Sequence, residues 1–309
     1  MINIQNFNNC DFSGIAYGGH SGSKKGIIID NERWFLKYPK STKSMQVENI
    51  SYTTTPVSEY LASHIYKSLG IDTHETRLGI ANGKTVVACK DFLENSEMIF
   101  DYNSIKNNYD EAIENISISS SFTSNDDIEE VLLNLEKNYY FNLIPAIKTR
   151  FWDMFIVDAF ISNNDRNEGN WGLIYNRDTK KLRLVPVFDN GAAFYNKSDD
   201  TKLEELCNDT VKFEQVAYHS CISIFNENSK HINPLKYIES MKNKDCNDAL
   251  IRVFKRIDFN VINKIFNEVP EEYDGITILS EIQKNFYLKV LKYRYEKVFL
   301  PIYNKLINN

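Results

Sequence analysis

Asp165 and Asn170 lie five residues apart in the stretch Ile161 to Ile174 (I-S-N-N-D-R-N-E-G-N-W-G-L-I) and suit phosphoryl chemistry. A carboxylate can orient a hydroxyl and take its proton, while a nearby amide oxygen helps hold a metal beside a phosphate. The spacing alone says little. Of the 20 aspartates, four (Asp110, Asp158, Asp165 and Asp258) have an asparagine five residues later, in a chain rich in asparagine. Asp165 is set apart by a second acidic segment shortly downstream. Leu182 to Val187 (L-R-L-V-P-V) reads as a strand running into Phe188-Asp189-Asn190-Gly191, and Asp189 opens the only Asp-x-Gly of the sequence. A carboxylate at a strand end, beside a glycine that lets the backbone turn, can anchor a metal-bound phosphate.

The N-terminal third supplies a cation. Ile27-Ile28-Ile29 and Arg33 to Tyr38 read as strands joined by a turn at Asp30-Asn31-Glu32, and Lys37 falls late in the second, between Leu36 and Tyr38. A lysine in so apolar a strand either runs its stem to the surface or has its ammonium held by a carboxylate or phosphate. Glu59 is the candidate partner. Thr55-Pro56 reads as a cap and first turn, Val57 to Leu69 as a helix with Gly70 as its stop, and Val57, Leu61, Ile65 and Leu69 as its buried face. Glu59 in the first turn also complements the helix dipole, whatever else it does.

Before Ile27, a possible strand ending at Gly14 to Tyr17 leads into G-G-H-S-G-S-K-K-G, residues 18 to 26. This lies between two strands, lacks the G-x-x-x-x-G-K-[ST] order of a P-loop and opens no helix. Its backbone N–H groups could fold over phosphates, and a plain hairpin loop fits the residues equally well. Thr73 to Ile80 and Lys84 to Phe92 form a second hairpin around Ala81-Asn82-Gly83, after which Asp91 to Glu94 leaves the sheet. That exit sets an expected boundary between residues 1–92 and 93–309.

Residues 96 to 136 are polar and acidic, predicting helices interrupted by an exposed loop with a serine patch at 116–124. Pro145 to Ile161 predicts a helix with Ile147, Phe151, Met154, Phe155 and Ile161 as its buried stripe. Lys202 onward reads as largely helical, with breaks near Asn226, Pro234, Asp258 and Pro270, and a long final helix interrupted by Pro301.

Composition narrows the function. With 309 residues the chain can bury a large core, and 42% hydrophobic with 25% charged residues is ordinary for a soluble protein. A net charge of −6 without a basic run argues against direct nucleic-acid binding and gives no polybasic membrane patch. No apolar run approaches the roughly 20 residues of a membrane span. The opening M-I-N-I-Q-N-F-N-N lacks the features of a secretory signal, so a cytoplasmic protein is expected, with export as an effector left open. The five scattered cysteines read as reduced thiols, and the histidines lack ligand spacing.

The order of glycine-rich turn, strand lysine, helix glutamate, D-x-x-x-x-N and D-x-G resembles that of protein-kinase-like folds. The segment Asp165-Arg166-Asn167-Glu168-Gly169-Asn170-Trp171-Gly172 is similar to that of HipA-like serine/threonine kinases, whose version reads D-R-H-x-x-N-W-G. Lys37-Tyr38-Pro39, Glu59-Tyr60-Leu61-Ala62, Val86 to Phe92, Pro186 to Gly191 and Lys244-Asp245-Cys246 look like the short, CtkA-type members of that family. The resemblance covers roughly residues 10 to 270.

It implies an α+β, bilobal kinase-like fold with an antiparallel-sheet N-lobe and a mainly helical C-lobe. It also implies ATP and Mg²⁺ as cofactors and phosphoryl transfer to serine or threonine of the protein itself and of a protein substrate. By the same likeness Lys37 would hold the α- and β-phosphates, steadied by Glu59. Asp165 would orient the hydroxyl or act as base, and Asn170 and Asp189 would hold the metal. Gly19, His20, Ser21, Gly22 and Ser23 would cover the nucleotide, and Lys90, Asp91 and Phe92 would form the hinge beside adenine. Ser21 and Ser23 are the candidate autophosphorylation sites, and an antitoxin or other regulatory partner is implied. Asn167 stands where the family has histidine, and Asn190 where other kinases carry the phenylalanine of D-F-G. A small-molecule kinase acting on an aminoglycoside or lipid headgroup, and a nucleotide-binding pseudokinase, are the alternatives.

Overall fold

The computed structural model describes residues 1–17, 24–45, 49–106 and 127–308. The expectations placed on Gly19, His20, Ser21, Gly22 and Ser23, and on the 116–124 patch, lie outside the described residues.

A five-stranded sheet comes first, built from β1 (Gln5–Asn6), β2 (Lys24–Ile29), β3 (Glu32–Lys37), β4 (Thr76–Ala81) and β5 (Lys84–Lys90). Its order is β1-β4-β5-β3-β2, with β1 parallel to β4 and the other neighbours antiparallel. Both hairpins turn through two left-handed residues, Asp30 and Asn31 in one and Asn82 and Gly83 in the other. That geometry matches the twist of the strands it joins. Alternation along the strands sends Ile27, Trp34, Leu36, Val86 and Ala88 into a small outer core. Phe35, Lys37, Val87 and Cys89 therefore stand on the inner face.

Helix α1 (Thr55–Ser68) covers that inner face and buries Val57, Leu61 and Ile65 there, with Leu69 just beyond its end. It starts differently from the sequence reading. Thr54, not Thr55, takes the cap position and makes no side-chain cap bond, while the Thr55 hydroxyl pairs with that of Thr53 at 2.7 Å. Pro56 fits the first turn because it has no N–H to leave unsatisfied, and left-handed Gly70 ends the helix.

Residues 96 to 136 hold a surprise. β6 (Glu97–Asp101) is a strand, followed by α2 (Tyr102–Lys106), α3 (Ile128–Lys137) and α4 (Tyr139–Asn142). β6 pairs along its length with β7 (Gly172–Asn176), and β8 (Leu182–Leu184) completes a three-stranded sheet. All five β6 residues are half-buried, so no alternation marks the strand locally. Gly172 permits the pairing, since a Cβ there would lie 2.3 Å from the Phe100 carbonyl oxygen. Of the strand expected from Leu182 to Val187, only the first three residues are strand, and Val187 forms an isolated bridge with Thr73.

Helix α5 (Ala146–Ile161) is buried on every side from Phe151 to Ile161, more than the expected stripe. It is the axis on which later helices pack, among them Lys244–Phe254 and Glu281–Arg294. Pro301 does not interrupt the last helix. The chain runs from Glu281–Arg294 through a π-helical turn, Tyr295–Phe299, into Leu300–Asn308. The wider turn accommodates the missing proline N–H and the ring that would otherwise crowd the carbonyl four residues back. Among the described residues no helix is long and apolar enough to cross a membrane.

Candidate active site

Beside Glu59, which is the fifth residue of α1 and so lies past the first turn where the sequence reading puts it, β3 delivers Lys37 to the inner face. Its ammonium lies 2.7 Å from Glu59 Oε2 and 2.7 Å from Asp189 Oδ1. Burial alone would push the ammonium down, but the two carboxylates outweigh it and hold its pKa above the usual lysine range. Burial would likewise raise Glu59, yet Lys37 and His74 keep it well below the usual carboxylate range. The other Glu59 oxygen lies 2.9 Å from His74 Nε2 and accepts the Asn190 N–H at 2.9 Å. The Glu59, His74 and Cys89 donor atoms fall within 4.8 Å of one another, though both Glu59 oxygens are already engaged, one by Lys37 and the other by His74 and the Asn190 N–H, and burial pushes the Cys89 thiol up.

The turn at Asp189 works by a different route from the one its sequence suggests. Asp189 itself takes the left-handed conformation (φ 57°). Gly191 is needed for space: a Cβ there would lie 2.6 Å from Thr55 Cγ2 and 3.2 Å from Glu59 Oε2. The lack of a side chain lets this segment press against α1 where Glu59 sits.

Asp165 occupies the loop after α5, which Ser162 ends in the left-handed conformation. Asn167 Nδ2 donates to Asp165 Oδ1 at 3.0 Å, and Asn167 Oδ1 accepts the Gly169 N–H at 3.0 Å. Asparagine in the family's histidine position therefore fixes the carboxylate without titrating. Asn170 Nδ2 donates to the Asp165 carbonyl at 2.9 Å, which turns its oxygen the other way.

A buried arginine that sequence reasoning passed over ties these loops together. Arg166 donates to both oxygens of Asp158 (2.9 and 3.1 Å), to the Phe188 carbonyl (2.6 Å), to Asn190 Oδ1 (2.6 Å) and to the Asn170 carbonyl (3.5 Å). Asn190, fully buried, also donates to Ser63 Oγ at 3.0 Å. The residue after Asp189 is thus a polar anchor, where a phenylalanine would have no such partners. Tyr66 and Asn163 complete the shell around Asp158. The adjacent D-R of the catalytic segment was the available clue to this network.

The expected hinge residues separate. The Lys90 ammonium pairs with Glu32 at 2.7 Å on the outer face of the sheet, so its side chain stands away from Lys37. Asp91 accepts a hydrogen bond from Tyr17 at 2.9 Å, and Phe92 lies 5.7 Å, ring to ring, from Phe188. Lys24 pairs in register with Lys37 across β2 and β3 and so shares its face. A cavity of about 480 Å³ opens beside Asp165 and Asp189.

A strand lysine ion-paired to a helix glutamate and to Asp189, with Asp165 on the wall of the adjoining cavity, is an arrangement of the protein-kinase class of phosphotransferases. No family model matches the chain. The serine/threonine-protein kinase CtkA of Helicobacter pylori strain J99 is 34% identical over 284 residues, covering 92% of this chain and 82% of that protein. A crystal structure of a Helicobacter pylori proinflammatory kinase CtkA matches with a TM-score of 0.86 at 31% identity, over 99% of this chain and 98% of that one. The chain belongs to the CtkA family of serine/threonine protein kinases. HipA of Shewanella oneidensis MR-1, solved with HipB and operator DNA as a toxin–antitoxin system, matches with a TM-score of 0.53 at 11% identity, over 97% and 70% of the two chains. That likeness shows the shared HipA-like fold; the HipB and DNA assembly is HipA's own.

Proposed function

We propose that this cleft transfers the terminal phosphoryl group of Mg-ATP to a serine or threonine hydroxyl, on a protein substrate and on the chain itself. The observation that carries the reading is the Lys37 ammonium held 2.7 Å from both Glu59 and Asp189. Lys24, on the same face, adds a second positive charge near both carboxylates, so the cluster offers two ammonium groups for phosphate oxygens. Asp189 Oδ1 accepts from Lys37, leaving its second oxygen, and the Asn170 amide oxygen is turned away from its own hydrogen bond. Oxygen donors of this kind suit a small hard cation, so Asp189 and Asn170 would hold magnesium. When bound, the metal neutralises and bridges the phosphates.

The chain's own groups divide the remaining work. Lys37 holds phosphate oxygens, and Glu59 keeps its stem in place. Asp165, oriented by Asn167, positions the acceptor hydroxyl and takes its proton. Residues 1–92 would form the nucleotide-covering lobe and 93–309 the lobe that carries Asp165, Asn170 and Asp189. Two lysines in the adjoining cavity, Lys40 and Lys197, weigh against a polycationic aminoglycoside as acceptor. The test is incubation with labelled ATP and mapping of the labelled residue, comparing wild type with Asp165→Ala and Asp189→Ala. Label entering Ser21 or Ser23 in wild type only is the expected result, and equal labelling of all three proteins would sink the reading.

A further inference from the structure

The cavity beside Asp165 and Asp189 is lined by none of the hinge residues, so it lies on the acceptor side of the cleft. Its charges do not balance. Three carboxylates line it. Asp158 is neutralised by Arg166, and Asp189 with the buried Glu59 behind it by Lys37 and Lys24, leaving Asp165. Against them stand Lys40, Lys197 and Arg294. Among the described residues neither lysine has a carboxylate within ion-pair distance, and nor has Arg294. Arg294 is the unusual member, being wholly buried. Its guanidinium donates to the carbonyls of Ala159, Phe160 and Ala217, to Ser162 Oγ and to Cys221 Sγ, all of them uncharged. Buried charges are as a rule paired with an opposite charge. A guanidinium satisfied by neutral acceptors keeps its full positive potential, and low-dielectric walls carry that potential into the cavity. In a chain of net charge −6, this wall runs against the global sign.

We propose that the acceptor is a protein segment whose serine or threonine is flanked by acidic side chains, with Lys40 and Lys197 contacting those carboxylates while Arg294 supplies the underlying field. The proposal rests on the phosphotransferase reading above and names the substrate class of the same site. Both lysines are specificity residues: they touch substrate away from the reacting atoms.

The experiment uses the full chain, ATP and three serine peptides of equal length, flanked by glutamate, alanine or lysine. The glutamate peptide is expected to show the highest kcat/KM, about tenfold above the alanine peptide for two partly exposed ion pairs, mostly through KM. The gap should shrink as salt is raised. Lys40→Glu combined with Lys197→Glu should invert the order of the glutamate and lysine peptides. A wild-type preference for the lysine or alanine peptide overturns the proposal, whether or not the double variant folds. So does self-labelling without labelling of any peptide. If wild type labels neither peptide nor itself and matches Asp165→Ala, the phosphotransferase reading has failed, and this inference falls with it.

Discussion

Two buried cations organise the cleft, and their networks differ in access to solvent. Arg166 faces one carboxylate, Asp158, and each of its five N–H directions has an acceptor. Lys37 faces two carboxylates, Glu59 and Asp189. The Asp158 side chain is 8% exposed, whereas Asp189 is 19% exposed on the cavity side. The first network is closed and neutral, so its role ends with holding the catalytic segment against the Phe188–Asn190 turn. The second brings Lys24 to the same two carboxylates and is open at one of them, where a ligand can reach it. Burial and ion pairing alone do not separate structure from function here; access to the cavity does.

The sharpest way to break that contrast is to remove one member of the open network. Asp165→Ala and Asp189→Ala should each lower kcat by about a thousandfold. Melting temperature should hardly change in either, because neither removal strands a buried arginine. A collapse of stability in Asp189→Ala would erase the distinction.

Arg166→Met should do the reverse. It strands Asp158 and Asn190 without their donors and should cost about 3–5 kcal/mol of stability by denaturant titration. Adding Asp158→Asn should recover part of that loss, since the uncompensated charge is then gone.

A smaller effect sharpens the picture at Asp165. Asn167→Ala releases its carboxylate and should lower kcat about tenfold, a loss of about 1.4 kcal/mol. Asn167→His should keep most of the activity if orientation is the role, and the pH profile should separate the two variants.

The smallest effect lies in the acid limb. The folded pKa of Glu59 is depressed below its ordinary 4.5. Its contribution to stability is therefore full above about pH 4.5 and is lost as pH falls towards the folded value. Lys37→Met should flatten this limb, read as melting temperature against pH.

Much of this site was legible in the sequence. Lys37 announced itself as a charge in an apolar strand, Glu59 as an acid in a helix that buries its neighbours, and Asp189 as the only Asp-x-Gly. The Arg166 network was not legible, because arginine, aspartate and asparagine are common surface residues and nothing local marks them as buried. Asp158 and Asn163 even share the Asp-to-Asn spacing that drew attention to Asp165. There the spacing reflects a structural hydrogen bond of 2.8 Å. Strand β6 was missed for a related reason: its partner is β7, about 70 residues on, and its own five residues show no alternation. Lys90 was placed in the hinge by its position in the chain, and strand alternation turned its side chain to the other face.

Residue types and short-range spacing determined which groups can do chemistry and which local elements carry them, because helix caps, hairpin turns and alternation depend on neighbours. Only the tertiary structure decided who meets whom. Lys37 and Asp189 are 152 residues apart, and their contact exists because α1 and the Asp189 turn pack together where Gly191 leaves room. Access to the cavity, the property that separates the Lys37 network from the Arg166 one, is likewise set by packing across the fold, and no local pattern encodes it.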